Sequence, residues 1–185
     1  MLARSLRRGL TLVEVLIVLA ILATLAAVLY PAVVGQLREG QATALANQLD
    51  NLRVAIANYR TNVVRYPRLL TQLTVQPGAG ALDICGVVVP AANRALWRGP
   101  YLAQNILGNF PVGDATVQNT LVRVVTAAPV ANLQIDAVSV DSTSAAYIER
   151  QFDGTPLNYA TGSILWVSTG PAVGDLTYQI PIRGC

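Results

Sequence analysis

The segment RSLRRGLTLVEVLIVLAILATLAAVLY, residues 4–30, joins a basic start to a long apolar run. The chain stays uncharged from Val15 to Leu37, which is long enough for a helix that crosses a bilayer. One carboxylate, Glu14, stands directly before this run. An ionisable group within a membrane-length helix is costly unless it has a partner. We expect that partner to be a free α-amine.

The residues around Gly9 and Leu10 resemble the processing site of type IV prepilins and type II secretion pseudopilins. A short basic leader, residues 1–9, ends in Gly9, the following chain opens with LTLVEV, and Glu14 is its fifth residue. Pro31, the twenty-second residue counted from Leu10, matches a proline common in that family. Leu10 departs from the pattern, because the family more often has phenylalanine there.

This resemblance implies a processing step and an assembly step. In the family, a membrane-embedded prepilin peptidase cuts after the glycine and methylates the new N-terminus, which here is Leu10. An inner-membrane assembly platform with its ATPase then builds a homo-oligomeric filament through the N-terminal helices. The implied role of Glu14 is to neutralise the α-amine of Leu10 on a neighbouring subunit.

Two other classes of segment share a basic start and an apolar centre. A secretory signal peptide ends in a small-x-small site after roughly 7 to 15 apolar residues, and no such site stands out here. A plain signal anchor would have the same orientation, but it gives no role to Glu14. In each case the three leader arginines favour a cytoplasmic leader. The sequence thus predicts a single-pass inner-membrane precursor, in contact with lipid, whose head lies on the periplasmic or extracellular side.

One long helix is predicted from Leu10 to Asn62. Its first part, residues 10–34, would be the transmembrane or filament-core helix, and residues 35–62 would form an amphipathic continuation. Apolar residues recur there at steps of 4, 3, 4, 3 and 4, which places them on one helical face. They are Leu45, Leu49, Leu52, Ile56, Tyr59 and Val63.

Pro31, Gly35 and Gly40 are the weak points of this helix. Proline removes a backbone hydrogen bond, and glycine lowers helix propensity. Two interpretations remain open at this stage. The residues mark either a simple kink or a segment that unwinds when subunits pack together, as the family resemblance implies.

The remaining residues, 63–185, are predicted to form a globular head with a loop-rich connector, 63–115, and a sheet, 116–185. Trp97 and Tyr101 in the connector are expected to cover the core. The predicted strands are Thr116–Thr126, Leu133–Val140, Ser163–Ser168 and Leu176–Ile182. A short helix capped by Ser144 is predicted over 144–152, with a strand as the alternative. The fold class is α+β: a long helix packed on an antiparallel sheet, as in pilins.

Composition excludes several classes of function. The chain has 13 arginines, no lysine and no histidine. It therefore cannot form a Ser-His-Asp triad, a histidine zinc site, a Walker lysine or a Schiff base, and we expect no enzyme activity. Three arginines lie before Leu10, so the chain from Leu10 onwards has ten arginines and ten acidic residues. That balance predicts no nucleic-acid footprint.

Two cysteines and four aspartates complete the candidate residues. Cys85 and Cys185 would lie on the exported side, where disulfides form and persist; two buried free thiols are the alternative. Four aspartates in or beside turns are candidates for calcium binding, because the chain resembles the major pseudopilin, which binds calcium in a comparable region. Turn and capping roles are favoured for them, and no other cofactor is expected. They are Asp136, Asp141, Asp153 and Asp175.

These observations lead to three functional hypotheses. The first is a structural subunit of a type IV pilus. The second, a type II secretion pseudopilin, is favoured by the Tyr66-Pro67 and Gly99–Leu102 segments, which resemble elements of the major pseudopilin. The third is a membrane-anchored binding or adhesion domain that does not polymerise. Glu14 distinguishes the third from the others, because an anchor has no need of it.

Overall fold

The computed structural model describes residues 11–127 and 130–183, and it confirms the predicted α+β architecture. The chain divides into two compact units, and the boundary in the sequence lies between Leu37 and Arg38. The helices are α1 (Leu12–Val63), α2 (Ala91–Ala95) and α3 (Ser142–Phe152). The strands are β1 (Phe110–Val112), β2 (Ala115–Val117), β3 (Val122–Ala127), β4 (Val130–Asp141), β5 (Ile164–Gly170) and β6 (Val173–Ile182).

Helix α1 ends one residue after the predicted position and is continuous through Pro31, Gly35 and Gly40. The predicted start, Leu10, lies outside the described residues. All six residues of the predicted apolar stripe are buried, which confirms the periodicity. They belong to one apolar cluster together with sheet residues such as Leu133 and Ile135. Burial of such side chains contributes about 1.5 to 3 kcal/mol each.

The sheet against which α1 packs is antiparallel throughout. The strand order is β1-β2-β4-β6-β5, and β3 pairs with β4 on the side that β2 also occupies. The long strand β4 therefore lies at the centre and fixes the register of the others. Its neighbour β6 pairs with it from Ala131↔Ile182 to Asp141↔Val173.

The predicted single strand over Thr116–Thr126 is wrong, because two strands occupy that stretch. Between them the backbone turns away from β4 and bonds to the connector. Leu70 N donates to Asn119 O at 2.8 Å, and Leu121 N donates to Arg68 O at 2.8 Å. Strand β1 was not predicted, because its three residues include Pro111, which is typical of an edge or loop.

The predicted helix over 144–152 exists, but it begins earlier, and the strand alternative is wrong. Its N-cap is Asp141, whose carboxylate accepts a hydrogen bond from Thr143 N at 2.9 Å. The prediction of Ser144 as the cap is wrong, since Ser144 lies inside the helix with a buried hydroxyl. Asp141 is the better cap because its carboxylate reaches two residues ahead.

The connector aromatics cover the core as predicted. Trp97 and Tyr101 pack against the apolar cluster, and their rings meet edge to face at 5.7 Å. Trp97 Nε1 donates to Gln72 O at 3.0 Å, and this hydrogen bond links two distant parts of the connector. Tyr101 also meets Tyr59 of α1 at 5.9 Å. The two aromatic rings thus cover the apolar face of α1 near its C-terminal end.

Candidate functional site

The first half of α1 has the properties of a helix made for an apolar environment. Large apolar side chains from Leu12 to Leu37 are exposed, with 76% at Leu12 and 72% at Tyr30. An 18-residue window of the helix has a mean hydropathy of 2.9, and none of that window is buried. Within the described residues, α1 is the one helix long and apolar enough to cross a membrane by length and composition. A helix that is apolar all round is stable in a bilayer or surrounded by other helices.

Glu14 lies in the first turn of this apolar helix. Thr11 Oγ1 accepts a hydrogen bond from Glu14 N at 3.2 Å, and Thr11 O accepts one from Val15 N at 3.3 Å. Thr11 therefore acts as the N-cap, with Glu14 at the third helical position, as in the Thr-x-x-Glu capping pattern. The positive end of the helix dipole also stabilises a carboxylate at this position. The sequence contains this pattern, but the capping role of Thr11 was not predicted.

The carboxylate of Glu14 has no hydrogen-bond or ion-pair partner among the described residues. Gly9 and Leu10, the predicted cleavage and methylation residues, lie outside them. The structure thus places Glu14 in the first turn of the helix. Its pairing with an α-amine stays a prediction.

The two predicted glycine weak points have open space around them in the described part of the chain. A Cβ atom added at Gly35 or Gly40 would meet nothing within 4 Å. The absence of a side chain at Gly35 and Gly40 therefore leaves space on the surface of α1. Whether this segment unwinds on assembly stays a prediction.

A family model described as "Prokaryotic N-terminal methylation motif" matches residues 4–30. The chain carries the prepilin-type signal of type IV pilins and pseudopilins. The matched residues include the leader from Arg4, then Gly9, Leu10, Glu14 and the apolar run up to Tyr30. The signal is typical of pilin-type structural proteins. Comparisons with curated proteins and with solved structures gave no significant match.

The prepilin-type signal ends before the head. Within the head, the loop that contains Cys85 is held by hydrogen bonds to a buried carboxylate. Asp83 is buried at 1% exposure and holds the loop that carries Cys85. Its Oδ1 accepts hydrogen bonds from Cys85 N at 3.0 Å and from Val87 N at 2.9 Å. Cys85 is not a free thiol. Because Cys185 lies outside the described residues, the pairing of the two cysteines stays a prediction.

Each of the four aspartates considered for calcium has its own hydrogen-bond or strand partner, and Asp136 lies inside β4 rather than in or beside a turn as predicted. Asp136 accepts from Thr177 Oγ1 at 2.8 Å, Asp141 caps α3, and Asp175 lies on β6 opposite Val167. Asp153 accepts from the backbone of Ser163 at 2.9 Å and of Ile164 at 2.7 Å. No group of three or more histidine, cysteine or acidic side chains suited to a metal occurs in the described part of the chain.

Glu149 is a buried carboxylate that the sequence analysis did not single out. It is 1% exposed, and its Oε1 accepts a hydrogen bond from Asn158 N at 3.0 Å. Burial raises the pKa of Glu149, the hydrogen bond from Asn158 lowers it, and the charge of Asp153 raises it further, with a net increase. The helical spacing of Ala145, Ile148, Glu149 and Phe152 places it on the buried face, so this signal was present in the sequence.

Proposed function

We propose that this chain is a structural subunit of a type IV pilus, assembled through its N-terminal apolar helix. The observation that carries the proposal is Glu14, a carboxylate without a partner in the described chain, within a segment that matches the methylation motif. The proposed partners are prepilin peptidase, an inner-membrane platform with its ATPase, and further copies of the chain. The mature form would belong to a surface pilus, with the head outside the inner membrane.

The physical role of the helix follows from its surface. Before assembly its apolar side chains would be covered by lipid, and in a filament they would be covered by the helices of neighbouring subunits. An unpaired charge of either sign is costly in such an interior, so Glu14 and the α-amine of Leu10 stabilise one another across subunits. The pairing would also fix the axial position of each subunit relative to its neighbour, because the carboxylate and the amine must lie at the same height along the filament.

A secretion pseudopilin is the second candidate. Tyr66-Pro67 and Gly99–Leu102 favour it by their resemblance to elements of the major pseudopilin. Tyr101 of the second segment contacts α1, since Asn62 Nδ2 donates to Tyr101 Oη at 3.1 Å. The predicted disulfide of Cys85 with Cys185 favours a pilin. An anchored domain that does not polymerise is the third candidate, and in it Glu14 would serve only as the capping partner of Thr11.

The experiment compares two variants that separate assembly from capping. Glu14→Ala removes the charge, whereas Thr11→Val removes the capping hydroxyl and keeps the carboxylate. Each is expressed as the only copy of the subunit. Filaments are counted by electron microscopy beside an immunoblot for processed protein. We expect processed protein in both strains, filaments with Thr11→Val, and few or none with Glu14→Ala.

Wild-type filament numbers in the Glu14→Ala strain would remove the carboxylate from the mechanism and favour the anchored domain. An equal loss in both variants would assign the effect to capping. A pilus is distinguished from a pseudopilus by where the filaments appear. Surface filaments at native expression favour a pilus, and filaments found only on overexpression favour a pseudopilus.

A further inference from the structure

The charged side chains of the head, residues 38–183, are sorted by sign along its length. Seven of its ten arginines lie around the C-terminal end of α1, together with one acidic residue, Asp83. The seventh, Arg183, directly follows β6. These residues define the distal pole of the head. The other six arginines come from the end of α1, the connector and β3: Arg60, Arg65, Arg68, Arg94, Arg98 and Arg123.

Hydrogen bonds to the end of α1 hold the connector arginines at the distal pole. Asn93 Nδ2 donates to Val63 O at 2.8 Å, which places α2 against the last residue of α1. Asn62 Nδ2 and the backbone N of Arg98 both donate to Tyr101 Oη, at 3.1 Å and 3.0 Å. The arginines of α2 and of the segment after it therefore lie beside the helix end.

The sheet contributes its arginines to the same end of the head. Leu121 N donates to Arg68 O at 2.8 Å, directly before the strand that carries Arg123. Arg183 follows the last residue of β6, which pairs with Ala131 near the start of β4. The distal pole therefore includes the end of α1 and the start of the central strand.

Four acidic residues and one arginine lie at the opposite end of the head. Asp114 is in the turn between β1 and β2, and a Cβ added at the adjacent Gly113 would lie 3.1 Å from Gln41 Cβ of α1. Asp141 ends β4 and pairs with the start of β6. Arg38 lies close enough to Asp141 for an electrostatic interaction. The residues of this proximal pole are Arg38, Glu39, Asp114, Asp141 and Asp175.

The two poles are too far apart to neutralise one another within one head. Glu39 and Arg60 are 21 residues apart on α1, about 32 Å at 1.5 Å per residue. Ala131 and Asp141 are ten residues apart on β4, about 34 Å at 3.4 Å per residue. Both distances exceed the Debye length of about 8 Å at physiological ionic strength, so salt screens each pole from the other.

Each pole keeps a net charge after its internal contacts are counted. Within the described residues, the one ion pair in either pole joins Arg65 to Asp83 at 3.3 Å. Seven arginines and that aspartate leave the distal pole at +6, and one arginine with four acidic residues leaves the proximal pole at −3. A disulfide of Cys85 with Cys185 would bring the terminal carboxylate to the distal pole and lower its charge to +5. The poles are opposite in sign with or without that carboxylate.

We infer that the distal pole of one head contacts the proximal pole of the next copy in the filament. The inference rests on the proposed function and names a contact between heads. Charge complementarity selects a second copy, because each copy supplies one pole of each sign and ten arginines balance ten acidic residues from Leu10 onwards. A polyanion such as nucleic acid would cover the distal pole and leave the proximal acids without a partner.

The contact sets the direction of the subunits. Two different surfaces of the same chain meet in it, so it is heterologous and repeats along an open helical assembly. Two distal poles or two proximal poles in contact would place like charges together, which disfavours heads of opposite direction. The charges of each pole act as a set, and no single pair has to form for the heads to share one direction.

A photo-cross-linking experiment locates the contact in the full-length chain. A benzophenone amino acid replaces Leu96, an apolar residue that is 47% exposed between Arg94 and Arg98. Because the replacement is uncharged, the charge of the distal pole does not change. Filaments are irradiated, and the covalent dimer is digested and analysed by mass spectrometry. We expect cross-links to residues 38–41, 113–115, 141–143 or 172–175 of a second copy.

Charge reversal then tests whether the poles hold this contact. Glu39→Arg with Asp114→Arg changes the proximal pole from −3 to +1 at two exposed residues that have no ion pair in the described chain. We expect at least about tenfold fewer filaments by electron microscopy, and loss of the cross-link from position 96. Asp50→Arg is the matched control, because Asp50 is a half-exposed acid between the poles on the same helix. Loss of its exposed pair with Arg53 should keep filament numbers within about twofold of wild type.

Processed protein and protease resistance of the head are measured in every strain, so that a misfolded variant is recognised. Wild-type filament numbers in the doubly reversed strain would overturn the inference and leave the proposed function intact. Cross-links to nucleic acid, to another protein or to the distal pole of a second copy would overturn it in the same way. An equal loss of filaments with Asp50→Arg would also overturn it, because the effect would not depend on the pole. A wild-type chain that forms no filaments would overturn the proposed function and this contact together.

Discussion

Arg65 Nη1 lies 3.3 Å from the buried Oδ2 of Asp83, and the other oxygen of that carboxylate holds the backbone of Cys85. One acidic side chain thus joins the end of α1 to the cysteine loop. Arg65 itself is 38% exposed, so solvent screens its charge and the pair contributes less than a fully buried one. The larger effect of Asp83 is to satisfy two loop N–H groups, which pre-orders the position of Cys85.

The ordered cysteine loop leads to the first prediction. If Cys85 pairs with Cys185, the Cys185→Ser variant loses the constraint on a loop of about 100 residues, roughly 4 to 5 kcal/mol of unfolding free energy. Denaturant unfolding of the full chain in detergent, followed by the fluorescence of Trp97 and Trp166, measures the change. Alkylation of both wild-type thiols without denaturant would contradict the pairing.

The second prediction concerns Glu149 and pH. Its folded-state pKa is raised above the ordinary 4.5, mainly by burial, so the folded chain binds the proton more tightly than the unfolded chain. Its contribution to stability therefore falls as pH rises from about 4.5 through the raised pKa. Glu149→Gln keeps an acceptor for Asn158 N and removes this loss. We expect the variant to gain stability relative to wild type between pH 4 and pH 7.

Asp141 provides a control of opposite sign. Partial burial raises its pKa, but the hydrogen bonds from Thr143 and the charge of Arg38 outweigh that effect and lower it. Its contribution is present above the ordinary pKa and is lost as pH falls, so Asp141→Asn should cost most near pH 7. Parallel pH profiles for the two variants would refute both assignments.

The third prediction concerns processing at Gly9. Gly9→Val places a branched side chain directly before the cut, where the resemblance to prepilins implies that the peptidase needs an unobstructed backbone. We expect the variant to accumulate in the membrane as uncleaved precursor. Intact-mass measurement distinguishes it from a chain that begins at Leu10, and Gly9→Ala, with a small side chain, serves as a milder control that should be partly cleaved. Mature chain from the valine variant would exclude this steric requirement.

The sequence could predict features whose signal is local and periodic. Leu45 and Tyr59 belong to a stripe of apolar residues spaced three and four apart, which places them on one helical face, and that face is buried. The break in the strand after Val117 could not be predicted in this way. It depends on Asn119, whose side chain accepts a hydrogen bond from Thr71 N at 3.0 Å, 48 residues away in the chain.

The fourth prediction compares two glycines at the paired ends of β5 and β6. Gly174 lies opposite Ser168, and a Cβ there would overlap Val167 O and come within 2.6 Å of the Trp166 ring. Backbone cannot yield as a flexible side chain does, so Gly174→Ala should destabilise the head by about 1 to 3 kcal/mol, the usual cost of overpacking. At Gly170 the same Cβ would meet nothing within 4 Å. Gly170→Ala should therefore stay within about 0.5 kcal/mol of wild type, as expected for a surface substitution. Thermal unfolding of both full-length variants, followed by Trp166 fluorescence, measures the difference, and equal stabilities would show that the β5–β6 junction can accept a side chain at Gly174.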